Sequence, residues 1–347
     1  MKLGIGVAPF GPKATINLDY VRHAESLGYD SAWTAEAYGN DAVSTATWIL
    51  AQTTRIKVGT AIMQMPARTP AMAAMTAMTL DHLSGGRFIL GLGPSGPQVV
   101  EGWHGVPYGK PLTRTREYIQ IIRQILAREK PLEFHGSEYE IPATGPNTTG
   151  LGKPLKSILH GNPRIPIYTA SISPNGLRCA AEVADGVFPM MVDPEKFDVS
   201  YLPHLEAGFA KTGGARSLAN FAVLPGVSVI VTDDPEKARM AVKGGMALYI
   251  GGMGARDKNF YNDLARRLGY EEAAAKIQDL FLAGKKAEAT AAVPDALLDA
   301  VHLVGPRDQI RDRLGAWKEA GRKGWVHTMN VNTSQPEALE LLAAELL

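Results

Sequence analysis

The sequence predicts an α/β protein built as a (β/α)8 TIM barrel with insertions in its βα loops. Three observations carry this. Strand-like and helix-like segments alternate along the chain, which implies right-handed βαβ units and a parallel sheet. The strand-like segments reach eight, the count that closes such a barrel. A chain of 347 residues, 45% hydrophobic and 20% charged, can bury a large core and carry excursions from it.

Residues 3–8 read as the first strand. Leu18, Val21, Ala24 and Leu27 then recur at helical spacing until Gly28 stops the helix. Residues 30–34 form the second strand, 44–52 a helix, and 56–63 a β-branched run of the buried kind. Residues 70–83 are helical, closed by Ser84-Gly85-Gly86, and 87–92 make the fourth strand. A helix over 114–127 leads to a fifth strand at 165–170. The next helix, 174–183, opens with proline, which suits a first helical position. Residues 186–190 and 222–231, the latter bent at Pro225-Gly226, are strands six and seven. Strand eight covers 325–331 and a closing helix 337–347.

Two stretches exceed a minimal barrel: 132–163, with a hairpin-like 133–141, and 234–320, with several helices. Both are expected at the carboxyl face, where barrels carry function. The chain reads as one domain, 1–347, with two excursions.

Lys+Arg 36 against Asp+Glu 35 gives a net charge of +1. Without a basic surplus a nucleic-acid partner is not expected. Apolar runs stop well short of the ~20 residues a membrane span needs. Pro9, Gly11 and Pro12 interrupt the start before a signal-peptide core could form. One cysteine, Cys179, permits no internal disulfide, and it reads as a buried, inert thiol. The expectation is a cytoplasmic protein acting on a small molecule.

There is no G-x-S-x-G, no H-E-x-x-H and no P-loop lysine, and the eight histidines show no ligand spacing, so no metal is expected. Gly91-x-Gly93-x-x-Gly96 resembles a dinucleotide fingerprint but follows the fourth strand and is broken by Pro94 and Pro97. Its glycines either let a flat ring approach the backbone or form a plain turn. Ser171-Ile172-Ser173-Pro174-Asn175-Gly176 joins the fifth strand to a helix amino terminus, a ready phosphate site, where Ser173 also fits a helix cap. Glu36, just past the second strand, is placed as an acid, a base or a partner to a cofactor ring, or else as an exposed loop acid. His104, beside Glu101 and Trp103, either touches substrate or packs in its loop. Lys110, Arg114 and Arg116 either meet an anionic tail or form a solvated face. Met63, Met65, Trp103, Met190 and Met191 line a hydrophobic pocket or belong to the core.

Four segments in order resemble the bacterial-luciferase-like family. They are Ala24-Glu25-Ser26-Leu27-Gly28-Tyr29-Asp30-Ser31-Ala32-Trp33, Leu80-Asp81-His82-Leu83-Ser84-Gly85-Gly86-Arg87-Phe88, Ala180-Ala181-Glu182-Val183-Ala184-Asp185-Gly186-Val187 and Val304-Gly305-Pro306 with Ile310 and Leu314. Glu101-Gly102-Trp103-His104-Gly105 and Gly252-Met253-Gly254-Ala255-Arg256 are similar to its branch that uses the deazaflavin coenzyme F420.

The resemblance implies a hydride-transferring oxidoreductase acting on an organic, hydrophobic small molecule. FMN-dependent monooxygenation and coenzyme binding without turnover stand as alternatives. It also implies a homodimer, and a non-proline cis peptide at Ala61-Ile62, beside Thr60, behind the coenzyme ring. Carried over by position, Glu36 lies beside the coenzyme as its catalytic or orienting acid. Ser95, Gly96 and Val99 border the ring. Ala170, Ser171, Ile172, Ser173, Pro174, Asn175 and Gly176 hold the phosphate. The family's sugar-phosphate dehydrogenases carry histidine where this chain has Ala37 and glutamate where it has Gly96, so that chemistry is not expected here.

Overall fold

The computed structural model describes residues 1–7 and 11–347. Eight parallel strands close into a barrel: Lys2–Gly6, Ser31–Thr34, Lys57–Thr60, Phe88–Gly93, Ile167–Ala170, Gly186–Phe188, a seventh in two pieces, Ala222–Val223 and Gly226–Val231, and Thr328–Asn332. The break in the seventh strand is what closes the sheet. Its first piece pairs Ala222 with Gly186 of strand six, and its second pairs Gly226 with Asn330 of strand eight. Pro225, which cannot donate to a ladder, sits at the switch, and its carbonyl accepts from Asn330 N at 2.9 Å. Ala8, assigned to the first strand from sequence, lies outside the described residues.

The strands bury both faces, as a parallel barrel requires. One set of side chains, including Leu3, Ile5, Ala32, Val58, Leu90 and Ile167, packs beneath the helices. The alternate set, Trp33, Ile89, Tyr168 and Phe188, fills the interior with Ala222 and Leu224. Trp33 meets Phe188 edge-on, ring centroids 5.0 Å apart at 77°. Ala61, Ile62 and Ala170 rest on this aromatic plug at its carboxyl end.

The helices follow their local signals. Pro174–Val183 has proline at its first position and Ser173 as cap, accepting from Gly176 N at 3.1 Å. Pro70–Ser84 is capped by Thr69 and ends at Gly85 with φ 67°. Helices Pro97–Gly102 and Leu202–Phe209, and the edge strand Leu303–Gly305, were not anticipated. Leu303–Gly305 pairs with Val229–Val231, where the seventh strand continues past its barrel neighbours.

The second excursion follows the seventh strand, as expected. It carries helices Pro235–Ala247, Phe260–Arg267, Glu271–Leu282, Lys286–Ala291 and Asp295–Val301 over an apolar cluster with Leu264, Ile277 and Leu298 at its centre. The first stretch is a correction. Residues 132–163 join helix Pro111–Ala127 to strand five, an αβ rather than a βα connection. The hairpin then doubles back along that helix. Glu117 accepts from the backbone N–H of Ser137, Glu138 and Tyr139 at 2.9 to 3.0 Å, and Arg114, in the helix's first turn, pairs with Glu138 at 3.0 Å.

Candidate functional site

Strands three, four and five are neighbours, so the segments leaving their carboxyl ends share one mouth. Strand three stops at Thr60, and the next peptide, Ala61-Ile62, is cis, at the position the resemblance implies. The Thr60 hydroxyl donates to Gly91 O at 2.6 Å and accepts from Gly91 N at 3.0 Å. A Cβ on Gly91 would stand 1.7 Å from the Thr60 carbonyl oxygen, and one on Gly93 2.7 Å from Ile62. Gly91 and Gly93 therefore make room for the bulge of strand three. A plain turn, one of the two roles read from sequence, is not theirs, since both lie within strand four.

Glu36 leaves strand two beside this bulge and donates from its backbone N to Ile62 O at 3.3 Å. Its carboxylate is 7% exposed and fully engaged. Oε1 accepts from Gln64 N and Arg68 Nη1, both at 2.7 Å; Oε2 accepts from Ala42 N at 3.0 Å and Arg68 Nη2 at 3.3 Å. Arg68 also pairs with Asp41. All four acceptor directions of the carboxylate are thus taken. Glu36 clamps the end of strand two to the start of helix Ala42–Gln52 and to residue 64 beyond the bulge.

Gln64, 1% exposed, extends the network. Its Nε2 donates to Ala37 O at 2.5 Å, and its Oε1 lies 2.8 Å from His104 Nε2. With the amide nitrogen already donating, Oε1 accepts, so the network assigns the hydrogen to His104 Nε2.

Past strand four, Ser95 adopts φ 59°, left-handed and uncommon for a residue with a side chain, and Tyr108 OH donates to its carbonyl at 3.5 Å. Gly96 caps the short helix that carries Val99. Ser95, Gly96 and Val99 are all half-buried. A second left-handed residue, Met191, follows strand six, and the buried Tyr201 hydroxyl holds that turn by donating to Met190 O at 2.7 Å. Backbone held in such conformations clusters at functional sites.

Past strand five, Ala170 to Gly176 lead into a helix amino terminus, where backbone N–H groups and the helix dipole favour an anion. The Ser171 hydroxyl has no partner among the described residues. Three cationic or titratable groups that sequence reasoning missed surround this loop. Arg267 donates to Ile172 O at 2.8 Å, and Arg178 to Asn175 Oδ1 at 3.3 Å. Burial, then Arg178 and Arg267, push the His204 imidazole below its ordinary range. Arg178 lies one turn past Pro174 and was within reach of spacing arguments. Arg267 is 95 residues from Ile172, and only the fold brings it there.

Several sequence candidates have structural duties instead. Met63, Met65 and Met191 are core residues, 0%, 1% and 5% exposed, so of the proposed pocket only Trp103 and Met190 remain accessible. Arg114 pairs with Glu138, and Arg116 with Glu182 at 3.1 Å. Burial raises the Cys179 thiol to about 11, consistent with an inert packing role. Two recesses, of about 140 and 480 Å³, lie at the opposite end, lined by Lys2, Lys57 and Arg123 among others. In barrel enzymes that end serves stability. Among the described residues no group of three or more His, Cys, Asp or Glu could hold a metal, and no helix is long and apolar enough to cross a membrane.

Residues 5–324 match the family described as luciferase-like monooxygenase. A Mycobacterium tuberculosis protein provisionally named coenzyme F420-dependent oxidoreductase is 44% identical over 346 residues, covering 99% of this chain and 98% of its own. The 5,10-methylenetetrahydromethanopterin reductase of Archaeoglobus fulgidus is 29% identical over 353 residues, covering 100% and 99%. The structure of the coenzyme F420-dependent tetrahydromethanopterin reductase from Methanopyrus kandleri superposes with a TM-score of 0.78 at 26% identity, covering 99% of this chain and 97% of that one.

Proposed function

The chain belongs to the luciferase-like monooxygenase family, and from that premise we propose that it is a coenzyme F420-dependent oxidoreductase acting on an organic, hydrophobic small molecule. The observation that carries the reading is the pairing of two surfaces across one mouth. One is a flat apolar floor, Ala61, Ile62 and Ala170 over the aromatic plug. The other is an anion-binding helix start ringed by Arg178 and Arg267. A ring with a phosphate-bearing tail fits both. The 44% identical relative supports F420 over FMN.

When bound, the deazaflavin supplies a ring carbon that gives or takes a hydride. The chain's own residues hold and enclose it. Thr60 and Gly91 fix the bulge under the ring, Ser95, Gly96 and Val99 border it, and Ser171 to Gly176 take the phosphate. Glu36 orients this frame through Arg68, Gln64 and Ala42. The dry floor keeps water from the reacting faces.

A homodimer completes the reading. Trp48, Met72, Met75 and Leu83 are each at least half exposed on the touching helices Ala42–Gln52 and Pro70–Ser84, an apolar stripe suited to a second copy. The lone, buried cysteine supports a reducing, cytoplasmic setting.

Titrating the purified protein with F420 and with FMN tests the proposal. F420 binding at least tenfold tighter than FMN is expected. Tight FMN and negligible F420 binding overturns it.

A further inference from the structure

Around the mouth stand aromatic side chains outside the segments assigned above to the coenzyme. Tyr38, after strand two, and Trp103, after strand four, are 68% and 66% exposed. Their ring centroids lie 6.4 Å apart with planes inclined by 55°. Tyr249 and Tyr261, from the excursion after strand seven, form a second pair at 4.8 Å, with Tyr249 on the π-helical turn Leu248–Gly252. Such turns recur at functional sites. The Tyr38 phenol lies close enough to Tyr249 to act on it electrostatically. Burial, then the Tyr38 phenol, raises the Tyr249 hydroxyl above its ordinary range; burial, then Tyr249 and Tyr108, raises Tyr261 to about 12.

One polar group interrupts this aromatic rim. His104 adjoins Trp103, and its Nε2–H is committed to Gln64. Its Nδ1 has no partner among the described residues and is not among their buried unpartnered atoms. With the hydrogen held at Nε2, Nδ1 is the acceptor of the ring and selects a hydrogen-bond donor such as a hydroxyl group. Rigid exposed aromatics select flat, conjugated partners by stacking.

We propose that the substrate is a flat aromatic molecule carrying a hydroxyl group, its ring received by Tyr38, Trp103 and Tyr249 and its hydroxyl hydrogen accepted by His104 Nδ1. This rests on the oxidoreductase reading and names the substrate class for the same site. It separates into two readable parts, a stacking preference and a donor preference.

Calorimetric titration of the F420-saturated protein with 1-naphthol, 1-decalol and 1-methoxynaphthalene tests both. The saturated alcohol keeps the hydroxyl without the flat ring, and the ether keeps the ring without the donor. Binding of 1-naphthol at least tenfold tighter than either is expected. The double variant Tyr38→Ala/Trp103→Ala should bring 1-naphthol and 1-decalol within twofold. His104→Phe should bring 1-naphthol and 1-methoxynaphthalene within twofold while keeping the preference over 1-decalol. F420 affinity, measured in the same samples, should stay within twofold in the Tyr38→Ala/Trp103→Ala variant, and F420 binding by every variant shows that it is folded. Equal binding of 1-naphthol and 1-decalol by the wild type overturns the proposal, as does an aromatic preference that survives loss of both rings. Absence of F420 binding alongside an intact preference, read in coenzyme-free protein, overturns the coenzyme reading and leaves this one standing.

Discussion

Thr60 and Gly91 bond each other twice across adjacent strands, the Thr60 hydroxyl giving to the Gly91 carbonyl and taking from its N–H. The absence of a side chain at Gly91 permits it, since a Cβ there would lie 1.7 Å from the Thr60 carbonyl oxygen, a rigid backbone atom. Gly91→Ala should therefore cost about 3 kcal/mol or more, the upper range of overpacking, and weaken F420 binding by displacing the floor. Gly93→Ala meets the Ile62 side chain at 2.7 Å rather than a backbone atom at 1.7 Å and should cost less. Urea unfolding and coenzyme titration of both variants measure the contrast.

Glu36→Gln keeps the shape of the clamp and removes its charge. A carboxylate that serves as a clamp makes stability and coenzyme affinity fall together, stability by about 1.5 to 3 kcal/mol for charge-assisted hydrogen bonds. A proton donor would lose turnover with affinity and stability intact. Comparing unfolding midpoint, F420 dissociation constant and kcat in one variant separates the two.

Arg178→Ala and Arg267→Ala each remove a cation beside residues 171–176, the loop proposed to take the phosphate, without touching its backbone donors. Each should weaken F420 by a few-fold, about 1 kcal/mol, with a larger loss at low than at high salt. Wild-type affinity should itself fall as salt rises from 50 to 500 mM, which fluorescence titration reads directly.

Stability should fall on mild acidification through His302. Its Nδ1 accepts from Ser228 N at 3.1 Å, and burial lowers the imidazole from 6.5 to about 4. Between those values the unfolded chain binds a proton that the folded chain refuses. Stability is therefore complete above pH 6.5 and lost as pH falls toward 4, by about 3 kcal/mol at most. His302→Asn retains an acceptor for Ser228 and should flatten that slope in urea unfolding at pH 7, 5.5 and 4.5.

Much of the barrel was legible because its elements are local. Each of the eight strands is a short apolar run between turn signals, and Pro174–Val183 was bounded to the residue by its proline and cap. Local backbone geometry was legible where motif and position coincide, as at the cis peptide Ala61-Ile62 and the helix start capped by Ser173. The site was not legible where distant segments meet. Arg267 beside Ile172, Tyr249 within electrostatic reach of Tyr38 and the return of 133–141 along its helix depend on long-range packing that leaves no local periodicity. Gly91 and Gly93 show a subtler failure. The sequence marked them as special, but what approaches them is strand three. Met63 and Met65 were ambiguous for a related reason, since an apolar side chain past a strand end suits core and pocket equally.

The excursion after strand seven shares its apolar cluster with strands six and seven, through Val187 and Val223, and with helix Pro174–Val183, while strands one to four pack in a separate cluster. Innovation on one side of the barrel is thereby kept from the other. Residues such as Tyr249 and Met253 can drift to suit a new ligand while the hydrogen-bonded frame at Thr60, Gly91 and Glu36 stays intact. Relatives with unlike substrates are then expected to diverge most in residues 234–301 and least around the bulge of strand three.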